Sequence, residues 1–186
     1  MATRMQKTLA KCTSTLEGTS LHTGQTVKLI IKPAEPNTGF KFRRVDLPDK
    51  PFLDASAAKV QSVERATTIA DGAVKVHTVE HILSALTGMG VDNAIIEMDA
   101  NEPPIGDGSA LPYVEMIKQA GIVEQNAPLK VWEIREPIMV ENKNGSTIVI
   151  MPSRDFRISL TAVGPNGRVT QYFDSVITPE TYEKEL

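Results

Sequence analysis

Residues 74–98 read VKVHTVEHILSALTGMGVDNAIIEM, and the hydrophobic period changes twice inside this stretch. Val74-Lys75-Val76 alternates like a strand. Val79, Ile82, Leu83 and Leu86 then fall at i, i+3, i+4 and i+7, the spacing of one helix face. Thr78 is well placed as the N-cap, and the helix is expected to stop near Gly88 to Gly90. An apolar strand over 93–98 follows, so a strand, a helix and a strand come within one short span.

Upstream, 67–70 and 73–76 flank Asp71-Gly72, a dipeptide that supplies the positive φ of a tight hairpin. Earlier still, Val27, Leu29 and Ile31 alternate with Lys28 and Lys32, and Phe40 and Phe42 with Lys41 and Arg43. A turn through 33–39 joins these two strands as a first hairpin. Downstream, 101–109 is a loop dense in Pro and Gly. Leu111, Val114 and Ile117 mark a second helix, with Gly121 as its C-terminal cap. Two helices on a sheet close a first α+β domain over 1–127.

After Asn126-Ala127-Pro128 the pattern returns to strands, over 131–134, 138–140, 146–151, 156–161 and 168–173. Asn144-Gly145 and Asn166-Gly167 are expected to turn hairpins. Ile30-Ile31-Lys32-Pro33 followed by Phe40-Lys41-Phe42 is echoed by Val149-Ile150-Met151-Pro152 followed by Phe156-Arg157-Ile158. The echo predicts a duplicated unit, with a second domain over 128–186. A helix starts at Thr178-Pro179-Glu180, and a copy ending at Leu186 is expected to be truncated.

The 186 residues carry a formal net charge of -3, with 41% hydrophobic and 5% aromatic residues. Such a chain lacks the basic surplus for a sequence-independent hold on nucleic acid or anionic lipid, and the stacking platforms for single-stranded bases. No apolar run is long enough to span a bilayer. The single cysteine, Cys12, excludes an internal disulfide, and the first residues lack a signal peptide, so the expected compartment is the cytoplasm.

Of three histidines, two lie in His77-Thr78-Val79-Glu80-His81. This matches the H-x-x-E-H pattern of inverted zinc metallopeptidases, whose histidines share one helix face. That reading needs His77 to be helical, whereas the strand through Val76 and the cap at Thr78 put it outside the helix. A second reading keeps Glu80 and His81, with His81 as metal ligand and Glu80, about 100° around the helix, as general base. A third is a non-catalytic domain with a surface Glu and a hydrogen-bonded His. Asp107-Gly108-Ser109 could contact a substrate, but Asp or Ser capping the helix from Ala110 is the simpler reading.

Five segments, 18–24 (GTSLHTG), 37–40 (NTGF), 78–83 (TVEHIL), 92–93 (DN) and 102–110 (EPPIGDGSA), resemble in order and spacing the signature blocks of UDP-3-O-acyl-N-acetylglucosamine deacetylases. Ser20 departs from the glycine usual there. The resemblance implies a cytoplasmic zinc amidase of lipid A synthesis in Gram-negative bacteria, acting on a UDP-sugar lipid. It implies a pair of similar domains, each a two-layer sheet with two helices (ribosomal protein S5 domain 2-like), with the active site between them.

By position, His81 resembles the first zinc ligand and Glu80 the general base, while His77 matches no ligand. His22, in a glycine-flanked turn, is read either as shaping the active-site edge or as capping that turn, and Arg65, Thr67 and Thr68 match a polar segment of the family near the active site. The resemblance also implies that a further His and Asp ligand, and a catalytic His, lie beyond residue 186, so these residues alone are expected to be inactive. Attack of a zinc-activated water on the acetamide carbonyl, with Glu80 accepting the proton, is the implied mechanism. Some members of the family are fused to a 3-hydroxyacyl carrier-protein dehydratase.

Overall fold

The computed structural model describes residues 4–185 and divides into two units, one reaching Leu129 and the other spanning Lys130–Glu185. In the first, strands β1 (Met5–Leu9), β2 (Leu16–Thr19), β3 (Thr26–Pro33), β4 (Phe40–Arg44), β5 (Phe52–Asp54), β6 (Val60–Ser62), β7 (Thr68–Asp71) and β8 (Val74–Val76) precede helix α1 (Glu80–Gly88). Strand β9 (Ala94–Met98), helix α2 (Leu111–Ala120) and β10 (Ile122–Pro128) complete it.

The main sheet has the order β2-β3-β9-β4-β5. The turn through 33–39 therefore does not make a hairpin: β9 lies between β3 and β4, antiparallel to the first and parallel to the second. Its alternate residues Ala94, Ile96 and Met98 are fully buried, and a strand this apolar is best satisfied with neighbours on both edges. Parallel pairing with β4 needs a long crossover, and the segment containing α1 provides it.

The alternation seen in the sequence sorts the sheet into two faces. Val27, Leu29, Ile31, Phe42, Leu53, Ala94, Ile96 and Met98 are buried, while Lys28, Phe52 and Asp54 are exposed. Helices α1 and α2 pack on each other. Ile82, Ala85 and Leu86 of α1, with Tyr113, Val114, Ile117 and Ala120 of α2, add the second apolar layer.

Turn chemistry follows the sequence closely. In the β7–β8 hairpin Asp71 pairs with Val74, and Gly72 takes the positive φ of 57°. Helix α1 ends through Gly90, whose φ of 76° lets the Gly90 and Val91 amides donate to the carbonyls of Thr87 and Leu86. Gly121, at φ 75°, closes α2 as expected.

Two predicted blocks, 37–40 and 92–93, meet in a buried polar knot. The Gly39 amide donates to Asn93 Oδ1 at 2.8 Å, and Asn93 Nδ2 donates to Gln6 Oε1 at 2.9 Å and Gln125 Oε1 at 2.8 Å. The Lys7 amide donates to Asp92 Oδ2 at 2.7 Å. These blocks tie β1, β9, β10 and the 33–39 turn together, which is a structural task. Strands β1 and β10 form a separate antiparallel pair that the sequence reading did not anticipate.

The second unit contains the hairpins β11 (Ile138–Glu141) with β12 (Thr147–Ile150) and β13 (Arg157–Val163) with β14 (Thr170–Val176), then helix α3 (Pro179–Glu185). Residues 131–134, expected as a strand, form none. Thr178 Oγ1 accepts from the Thr181 amide at 3.2 Å, so the predicted cap and the Pro at the first turn of α3 both hold. Asn166 and Gly167, at φ 59° and 68°, supply left-handed residues to the β13–β14 connection. No helix among the described residues is long and apolar enough to cross a membrane.

Candidate functional site

Strand β8 and helix α1 are separated by His77, Thr78 and Val79, and these three set how the helix begins. The His77 amide donates to the Asn101 carbonyl at 2.8 Å, and its Nδ1 lies 2.9 Å from Thr68 Oγ1. His77 is thus outside the helix and held by its neighbours, so the shared helix face that an inverted metallopeptidase motif requires is absent.

Thr78 does not cap the helix through its side chain, contrary to the sequence reading. Its backbone sits at φ 53°, a left-handed conformation that is rare for a β-branched residue and costs about 1–3 kcal/mol. Its hydroxyl donates instead to Glu102 Oε1 at 2.7 Å. Val79 occupies the cap position with no side-chain bond, and its amide donates to the Thr67 carbonyl at 3.3 Å.

Glu80 opens the helix, where free amides and the helix dipole favour a carboxylate. Its Oε2 accepts from the Thr67 amide at 3.0 Å. Thr67 therefore grips the helix start twice, by its carbonyl and its amide. His81 follows, half-buried, and its ring has no hydrogen-bond partner among the described residues. A carboxylate fixed on one oxygen, next to an imidazole with both nitrogens free, can offer a base and a ligand side by side.

The remaining expected residues divide. Thr67 stands at Glu80 through its backbone, and Thr68 is buried and engaged with His77. Arg65 is exposed at φ 57°, with no ion pair among the described residues. His22 is exposed, on a turn whose amides point inward: His22 N donates to Glu102 Oε1 and Oε2 at 3.0 and 3.1 Å, and Thr23 N to Oε2 at 2.8 Å. Ser109 Oγ accepts from the Leu111 amide at 3.1 Å while Asp107 Oδ1 accepts from Ser109, which agrees with a capping role for this segment.

Glu102 was assigned no part by the sequence reading, although it opens the EPPIGDGSA block. It is fully buried, with no ion pair among the described residues, and its carboxylate collects the Thr78 hydroxyl and the His22 and Thr23 amides. Burial works to raise its pKa, but these hydrogen bonds outweigh burial and hold it below the ordinary value of 4.5. A depressed folded pKa adds stability above the unfolded value, and that stability is lost as pH falls through the folded one. Acid titration is therefore expected to loosen the His22 turn below about pH 4.5, read as faster amide exchange at His22 and Thr23. Exchange that stays flat in this window, when compared with Glu102→Gln, contradicts the assignment.

No group of three or more His, Cys, Asp or Glu side chains able to hold a metal ion occurs among the described residues. A catalytic zinc takes three protein ligands and one open position. His81 has the donor chemistry of one such ligand.

A family model described as UDP-3-O-acyl N-acetylglycosamine deacetylase matches residues 6–186. The UDP-3-O-acyl-N-acetylglucosamine deacetylase of Saccharophagus degradans is 48% identical over 144 residues, covering 77% of this chain and 47% of the relative. That of Legionella pneumophila strain Corby is 46% identical over the same length and shares. A bifunctional enzyme LpxC/FabZ of Porphyromonas gingivalis is 38% identical over 172 residues, 92% of this chain and 37% of the relative. The chain spans about half the length, or less, of these curated relatives. With Glu80 and His81 standing together at the start of α1 and the match running through nearly every described element, the chain belongs to the UDP-3-O-acyl N-acetylglycosamine deacetylase family.

Proposed function

We propose that these residues form the first part of a zinc-dependent amide hydrolase that removes acetate from a UDP-3-O-acyl-N-acetylglucosamine in lipid A biosynthesis, in the cytoplasm. The observation that carries this reading is the pairing at the start of α1: Glu80, held through Oε2 by the Thr67 amide, beside His81 with its ring free. In this reading His81 is one zinc ligand and Glu80 the general base. Bound zinc supplies Lewis acidity to a water and to the acetamide carbonyl.

Glu80 contributes the proton transfer. One oxygen stays fixed by Thr67, and the other is left to accept a proton from the attacking water. Thr67 thereby keeps the base from swinging away, and in this reading His22 and Arg65, both exposed, are the residues at the edge where a substrate enters.

The second unit is, in the same proposal, the start of a second copy of the sheet-and-two-helix domain, and the remaining His and Asp ligands and the catalytic His come from residues outside these 186. The chain alone is then inactive and holds zinc weakly. The test replaces His81 with Ala in the 186-residue chain and measures bound metal. Unchanged, substoichiometric zinc is expected, and an equimolar zinc that disappears in His81→Ala overturns the proposed division of ligands.

A further inference from the structure

Three of the five sequence blocks converge on one buried carboxylate. Glu102 Oε1 takes the Thr78 hydroxyl, and its two oxygens take the amides of His22 and Thr23. Thr78 stands two residues before Glu80, and the 20–25 turn is closed on its other side by Ser20, whose amide donates to the Gln25 carbonyl at 3.0 Å. A carboxylate with no ion pair among the described residues, spending its acceptors on two loops distant in sequence, does more than fill a core position. An apolar side chain of similar size would fill that space without a buried charge.

The conformation of Thr78 adds the second observation. A β-branched residue at φ 53° persists only where its surroundings over-determine it; the His77 and Val79 amides are pinned on either side, and the hydroxyl bond to Glu102 is the contact that the Thr78 side chain itself makes. Strain held at that residue fixes the direction in which the chain enters α1. The direction of entry decides where the first two helical side chains, Glu80 and His81, stand.

We propose that Glu102 is a positioning residue: through the Thr78 hydroxyl it sets the start of the helix bearing Glu80 and His81, and through the His22 and Thr23 amides it locks the His22 turn to that same point. The proposal rests on the reading of Glu80 and His81 as base and ligand. It makes the His22 turn and the helix start one rigid unit with a shared anchor, so weakening the anchor disturbs both.

The test uses a chain extended to the length of its relatives and loaded with zinc. Thr78→Val keeps the shape and removes the hydroxyl. It is expected to lower kcat for acetate release about 10- to 100-fold with KM unchanged, and to speed zinc loss by a similar factor, as loss of an outer-shell partner does. Thr78→Ser, which keeps the hydroxyl, is expected to restore both.

Wild-type kcat and zinc retention in Thr78→Val overturns the proposal, and so does a Thr78→Ser protein as impaired as Thr78→Val. Should Thr78→Val fail to fold, Thr78→Gly replaces it, because glycine accepts this φ without strain, and wild-type kcat there has the same force. Glu80→Gln and His81→Ala in the extended chain test the underlying reading separately. Turnover that survives both removes that reading, whereas turnover lost in both but intact in Thr78→Val removes the positioning proposal alone.

Discussion

Glu80→Gln is expected to lower acetate release about 10²- to 10⁴-fold in a chain extended to the length of its relatives, the usual contribution of a general base. The substitution is conservative in the right way. The Gln carbonyl oxygen can still accept the Thr67 amide that now binds Oε2 at 3.0 Å, so the helix start keeps its anchor while the basic oxygen is lost. Unfolding midpoint and zinc content should stay near wild type. A variant that keeps full turnover shows that another group takes the proton, and one that loses zinc as well shows that Glu80 holds the metal or the fold.

The second large effect concerns stability. Phe42, on the central region of the main sheet, is fully buried, beside Ile96 of β9 and Leu53 of β5 in register. Phe42→Ala removes a large apolar surface and leaves a cavity between sheet and helices, a change that costs about 3–5 kcal/mol. Denaturant unfolding of the 186-residue chain, followed by a probe in the first unit, is expected to move by that amount. Exposed Phe52, on the opposite face of the sheet, is the control: Phe52→Ala should cost much less, and equal costs would contradict the assignment of faces.

How much of this was legible in the sequence depends on how local each feature is. Helix α1, the β7–β8 hairpin and the exclusion of His77 from the helix all follow from signals within a dozen residues: the i, i+3, i+4 spacing, the Asp71-Gly72 turn and the alternation of Val74-Lys75-Val76. The Thr178-Pro179 start of α3 is equally local. The order of strands is not. Nothing in the 33–39 turn reveals that β9, more than fifty residues on, will separate β3 from β4.

The candidate site divides along the same line. Glu80 and His81 stand out because a helix start concentrates free amides and favours an acid there. Thr78 was misjudged for a physical reason: a threonine before a helix is ordinarily its cap, but here a carboxylate 24 residues away takes the hydroxyl. Glu102 left no periodic trace. A glutamate before Pro103-Pro104 reads as a polar loop residue, and only the fold reveals that its donors come from two other segments.

The most direct measurement compares zinc content and acetate release for the 186-residue chain and for a version extended to the length of its relatives, each with and without His81→Ala. One zinc and measurable turnover are expected only in the extended chain, with both lost on replacing His81. Turnover and equimolar zinc in the 186-residue chain itself, or an extended chain indifferent to His81, would contradict the assignment of Glu80 and His81 as the base and first ligand of a shared metal site.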